Sequence, residues 1–113
     1  MRADGGTQRD GLGIQGNRVS NAKAKWRNRL AAIGCVVGHR HGGCTGRVQL
    51  HHVAEGSGLR DDWALVPLCE AHHIGQVGLH GMGSKSFIRL YRPPGDSEYG
   101  LLVWMIEQMA KAN

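Results

Sequence analysis

Two short segments crowded with metal-ligating side chains constrain this chain more than any other feature: Leu50-His51-His52-Val53 and Leu68-Cys69-Glu70-Ala71-His72-His73. Imidazole is the commonest zinc ligand and the side chain best tuned to exchange a proton near neutral pH. Cys69 and His72, with two residues between them, can grip one ion at the start of a helix, with two further ligands arriving from elsewhere. The chain holds seven His and three Cys but one Phe, and 18 of its 113 residues are Gly. A domain of that size with so thin a core needs a staple. Three Cys cannot pair fully into disulfides, and no charged-then-apolar segment opens the chain. A reducing, cytoplasmic setting with thiolates on zinc is therefore the expectation. No stretch approaches membrane-spanning length.

Hydrophobic patterning predicts a small α+β fold. Residues 1–19 lack periodicity and read as a flexible, Gly-rich basic arm ahead of one domain at 20–113. Ser20 or Asn21 can cap a helix that ends at Ile33 with Gly34 as its stop. Ala22, Trp26, Leu30 and Ile33 form its apolar stripe. The stretch from Cys35 to Cys44 reads as a loop or knuckle. Arg47–Val53 reads as a strand, 54–62 as a polar connection, and Ala64–Leu68 as a second short strand that delivers Cys69. Glu70–Ile74 starts a short helix. A helix from Ser84 or Lys85 to Arg92 packs through Phe87, Leu90 and Tyr91 until Pro93-Pro94-Gly95 breaks it. Ser97 then caps a last helix packing through Leu102, Met105, Ile106 and Met109.

The formal charge of +5 is concentrated. Met1 to Arg29 carries seven basic residues (Arg2, Arg9, Arg18, Lys23, Lys25, Arg27 and Arg29) against Asp4 and Asp10. The remainder is balanced, so the expected phosphate-binding surface is the arm and first helix, with Lys23, Lys25, Arg27 and Arg29 as DNA-binding candidates.

Two strands followed by a helix, with a His pair on the first strand and His on the helix, resemble the HNH nucleases, whose fold is called ββα-metal. The closer resemblance is to the phage recombination-enhancement nucleases, which depend on RecA. It rests on Ala32-Ile33-Gly34-Cys35, His51-His52-Val53, Val66-Pro67-Leu68-Cys69, His72-His73, and Gly78-Leu79-His80-Gly81 followed by Phe87. The resemblance implies a zinc-stapled ββα-metal core with flanking helices in a metal-dependent DNA endonuclease. It implies RecA filaments and single-stranded or D-loop DNA as partners, inside a bacterial host cell.

Carried onto this chain, the resemblance makes His52 the general base and His51, His73 and His80 ligands of a catalytic divalent ion: Mg²⁺, Zn²⁺ or Mn²⁺. On a strand His51 and His52 point to opposite faces, which separates their tasks. Many HNH proteins complete the structural zinc site with Cys-x-x-Cys, but Cys35 is followed at that spacing by Gly38. Cys44, His39 or His41 must replace the missing ligand. Cys35, Cys44, Cys69 and His72 are the favoured set, because thiolates hold zinc more strongly than a flexible imidazole. The middle Asn of the HNH pattern is also missing, replaced by Asp61-Asp62-Trp63-Ala64, so Asp62 or a backbone carbonyl must orient the base. The alternatives are a non-catalytic zinc knuckle that binds DNA or protein, and an HNH nuclease with a homing or packaging role.

Overall fold

The computed structural model describes residues 11–54 and 60–112, with side chains from residue 18 onward. It is a small α+β fold whose elements run α1 (Gly11–Ile33), α2 (Gly38–His41), β1 (Val48–His52), β2 (Leu65–Cys69), α3 (Glu70–His73), α4 (Leu79–Met82), α5 (Ser84–Tyr91), a 3₁₀ turn (Pro94–Asp96) and α6 (Tyr99–Ala112). Helix α1 starts before the cap expected at Ser20 or Asn21, so residues 11–19 carry helix where an arm is expected. The rest of that arm, 1–10, lies outside the described residues. Gly34 ends α1 as expected, at φ +86°, which a side chain would resist.

Strands β1 and β2 pair antiparallel, with Val48 opposite Cys69, Leu50 opposite Pro67 and His52 opposite Leu65. All five residues of β2 are buried, as a continuous apolar run demands. Pro67 donates no ladder hydrogen bond, but its carbonyl accepts one from the Val36 amide at 3.1 Å, so the chain leaving α1 covers that sheet edge. The core gathers between sheet and helices: Leu30 from α1, Val36 and Val37 behind it, Leu65, Val66 and Leu68 from β2, Phe87 from α5 and Leu101 from α6. Cys69 ends β2 and is at once the N-cap of α3, so no loop separates strand from helix.

Three expected core positions face outward. Ala22 is exposed on α1 and Leu90 on α5, while Ile106 on α6 is 60% exposed. Helix α6 instead buries Leu101, Trp104 and Met105, a face turned from the one centred on Leu102 and Ile106. The rotation follows from Trp104, whose ring stacks beneath the Arg40 guanidinium of α2 at 5.2 Å, while Arg40 also pairs with Glu107. The balanced charge of the body is not evenly spread either. Lys85, Arg89 and Arg92 of α5 and its cap, with Asp96 against Arg92, line a cavity of about 300 Å³, a local positive excess that the charge count alone conceals.

Leu30→Ala is expected to cost about 2–5 kcal/mol, since Leu30 is fully buried. Ile106→Ala, on the exposed side of α6, should cost less than about 0.5 kcal/mol. Denaturant midpoints of the two variants measure the contrast.

Candidate metal centres and active site

The sheet-to-helix junction places two histidine-containing clusters back to back. In the first, Cys35 lies just past α1, Cys44 past α2, Cys69 at the end of β2 and His72 in α3. Their donor atoms all fall within 4.8 Å of one another. His72 Nδ1 stands 3.4 Å from Cys35 Sγ, 3.2 Å from Cys69 Sγ and 3.9 Å from Cys44 Sγ. A sulfur and a nitrogen bound tetrahedrally to one zinc stand about 3.5 Å apart. The other candidate ligands are engaged elsewhere: His39 bonds the Ile33 carbonyl at 2.7 Å and His41 the Tyr91 carbonyl at 3.2 Å.

Gly38 explains the departure from Cys-x-x-Cys. A Cβ built there would lie 2.0 Å from Cys44 Sγ, so the Cys44 sulfur already fills the space that a side chain at 38 needs. The Gly38 amide instead donates to Cys35 Sγ at 3.4 Å.

The electrostatics of this cluster call for a cation. Burial pushes the Cys44 thiol up to about 12, reinforced by the neighbouring sulfurs, and burial raises Cys35 as well. Burial opposes ionisation of Cys69 too, but backbone hydrogen bonds from His72 and Thr45 carry it below the ordinary thiol value. Burial, then the proximity of His41, keeps His72 neutral. One thiol that ionises readily, two that resist ionisation beside it and a neutral imidazole would all be stabilised as ligands by a dication. The donor set fits a metal ion.

The second cluster joins His51 of β1, His73 of α3 and His80 of α4, whose donor atoms also lie within 4.8 Å of one another. His51 is buried at 7% exposure, whereas His80 is exposed. Neighbouring residues on a helix diverge by about 100°, so His72 turns to the sulfurs while His73 turns to this group. The loop to His80 folds back tightly: a Cβ on Gly81 would lie 1.7 Å from the Gly75 carbonyl oxygen. His73 Nδ1 donates to Gln49 Oε1 at 2.7 Å, which leaves Nε2 with the free lone pair. Burial, then repulsion by His51 and His80, carries His73 down to about 4, so it is neutral and ready to ligate. Three imidazole donors, one of them open to solvent, fit a cation that keeps free positions.

Glu98 completes this group, and sequence reasoning missed it. Its buried carboxylate accepts from His51 Nε2 at 2.9 Å and from the Ser84 hydroxyl at 2.9 Å. The His51 hydrogen bond holds its carboxyl below the usual range despite burial. With Nε2 donating to a carboxylate, His51 keeps its lone pair on Nδ1. A lone Glu ahead of a helix, 47 residues from its partner, leaves no signal in sequence spacing.

His52 stands apart from both clusters. Its Nε2 bonds Asp62 Oδ1 at 3.1 Å, and Arg60 Nη2 bonds its Nδ1 at 3.0 Å. Of the two substitutes expected for the missing Asn, the side chain of Asp62 is the one at hand. The His52 hydrogen bond, then Lys23 at 3.3 Å, holds Asp62 below its usual range. Despite facing opposite ways, His51 and His52 both border one cavity of about 560 Å³, which Arg60, His73, His80 and Glu98 also line. Of the expected DNA-binding residues on α1, Lys25, Arg27 and Arg29 are exposed and Lys23 is partly occupied by Asp62.

A two-stranded sheet running straight into a helix, with a closed thiolate–imidazole cluster on one side and an open imidazole triad on the other, defines a small α+β protein built around potential metal centres. The family model for recombination enhancement, RecA-dependent nucleases matches residues 20–110, and the chain belongs to that family. Comparison with curated proteins and with solved structures found no match. Family membership supports a nuclease role. Among the described residues, no helix is long and apolar enough to cross a membrane.

Two outcomes follow from this geometry. Gly38→Ala should displace the Cys44 sulfur and lower the metal content of the purified protein by about one ion per chain, read by elemental analysis. The unfolded chain takes up a proton at His73 near pH 6.5, the folded one only near 4. Protons therefore favour the unfolded state in between, and stability should fall as pH drops from about 6.5 towards 4. Melting temperatures across that range, compared with those of His73→Asn, measure it.

Proposed function

We propose that this chain is a metal-dependent DNA endonuclease of HNH type, phage-encoded and dependent on a RecA filament, with β1, β2 and α3 as its ββα-metal core. The observation that carries this reading is the position of His52: outside the ligand triad, tethered through Nε2 to Asp62, and on the wall of the cavity the triad opens into. Cys35, Cys44, Cys69 and His72 would hold a structural Zn²⁺, closed off from solvent except at Cys44. His51, His73 and His80 would hold the catalytic divalent ion, Mg²⁺, Zn²⁺ or Mn²⁺; all-histidine sites favour the transition metals. Once bound there, a divalent cation supplies charge stabilisation at the scissile phosphate and its leaving oxygen.

The protein's own residues do the rest. With its Nε2–H donated to Asp62, His52 carries its lone pair on Nδ1, the nitrogen that takes the proton from the attacking water. The imidazolium so formed is stabilised by the Asp62 carboxylate. Arg60 occupies Nδ1 in the substrate-free protein. Its guanidinium matches a phosphate better than an imidazole, so an entering phosphodiester draws it away and frees the base at the moment water must be activated. Glu98 and Gln49 fix the tautomers of His51 and His73. Lys25, Arg27 and Arg29, with Lys23 beside them, offer the DNA or filament its cationic surface, and the 20–113 body is the nuclease domain behind a basic arm.

His52→Ala tests the mechanism. Cleavage of D-loop DNA in the presence of RecA and ATP should fall by roughly 10²–10⁴-fold, with metal content unchanged and DNA affinity within about twofold. Wild-type rates in the variant would remove His52 as base. A wild-type chain that binds DNA but never cuts it, with any divalent ion, would leave a zinc knuckle in place of an enzyme.

A further inference from the structure

Beside the cavity, on the turn that leads into β2, Trp63 leaves 45% of its surface in solvent. The turn holds that ring at the surface. The Trp63 amide donates to Asp61 Oδ1 at 2.8 Å and the Trp63 carbonyl accepts from Trp26 Nε1 at 3.0 Å. The Ala64 amide closes the turn on the Asp61 carbonyl at 3.1 Å. Trp26 backs the ring at 6.5 Å between centroids, tilted by 49°. The backbone that carries the indole is thus set before any partner arrives, and the Trp26 ring behind it limits the ordering lost on contact.

Its surroundings define the partner. The preceding residue, Asp62, bonds His52 on one side and Lys23 on the other, with Arg27 within electrostatic reach. Arg60, three residues before Trp63, touches His52 from the cavity side. Lys23, Arg27 and Arg60 gather around this turn and outnumber its two carboxylates, Asp61 and Asp62. The indole thus stands in a net positive setting that complements a chain alternating π-faces with negative charges, which is single-stranded nucleic acid. A duplex hides both faces of each base in its stack. We infer that Trp63 is the stacking platform for an unpaired DNA base next to the cleavage cavity, so that the chain selects single-stranded over duplex DNA at the point of hydrolysis. The inference rests on the nuclease reading for its substrate.

Fluorescence anisotropy with a labelled single-stranded oligodeoxythymidine, a duplex of equal length and an abasic strand tests it on the full-length, metal-loaded protein without RecA. Trp63→Ala should weaken single-strand binding by about tenfold or more, and duplex binding by less than about twofold. Trp63→Phe should retain most of the affinity, and the abasic strand should bind wild type and Trp63→Ala alike. No loss on the single strand, or an equal loss on duplex or abasic strand, would overturn the stacking role. A wild-type chain that binds no single strand would overturn the inference along with the DNA reading. Single-strand binding with no cleavage once RecA and ATP are added would count against the chemistry alone, and the Trp63 comparison would still decide the platform.

Discussion

The convergence of three thiols on the His72 imidazole is the interaction on which the rest of this structure depends. Its four members come from the exit of α1, the chain after α2, the end of β2 and the first turn of α3. Four separate segments are thereby tied together. The Val36 amide that covers the edge of β2 follows directly on Cys35 of this cluster, so cluster and sheet edge share one segment. The same cluster fixes the rotation of α3, and with it the direction in which His73 points. A structural centre on one face of a short helix therefore aims the functional group on the other.

Adjacent pairs of histidine are divided by secondary structure alone. Strand alternation turns His51 inward to His73 and His80 and leaves His52 with Asp62 and Arg60. Helical rotation sends His72 to the sulfurs and His73 to Gln49 and the triad. Two dipeptides thus supply four different tasks. Shifting the register of β1 by one residue would exchange the environments of His51 and His52. Pairing of all five residues of β1 with the buried β2 guards against that slip.

Much of this was legible from residue order. The strands, the short helix after Cys69, the stop at Gly34 and the spacing of Cys69 and His72 follow from local sequence, because each depends on neighbours within a few residues. The rest of both clusters, with members as far apart as Cys35 and His72, came only through the family resemblance. The facing of α6 was not legible. Its sequence is apolar on more than one side, and the choice of Trp104 over Ile106 is made by Arg40 from a distant helix. The start of α1 was hidden by glycines that lower helix propensity without forbidding helix. Glu98 and Arg60 escaped for another reason: each reaches its histidine through tertiary folding, and a single charged residue carries no spacing to read.

In the proposed nuclease, with His51 as ligand and His52 as base, the two carboxylates that partner these histidines would serve two different tasks. Glu98 is buried and doubly hydrogen-bonded, so its charge is fixed and its effect on His51 is constant. A permanently oriented acceptor makes a permanently oriented ligand, which is what a metal site needs. Asp62 is half-exposed and shared between His52 and Lys23. Water around it can follow the change when an imidazole gains a proton and loses it again in each turnover, so neither state is strongly trapped. Had the buried carboxylate faced His52, the imidazolium would be held too firmly for a base that must reset. Burial, rather than the identity of the acid, separates ligand from base.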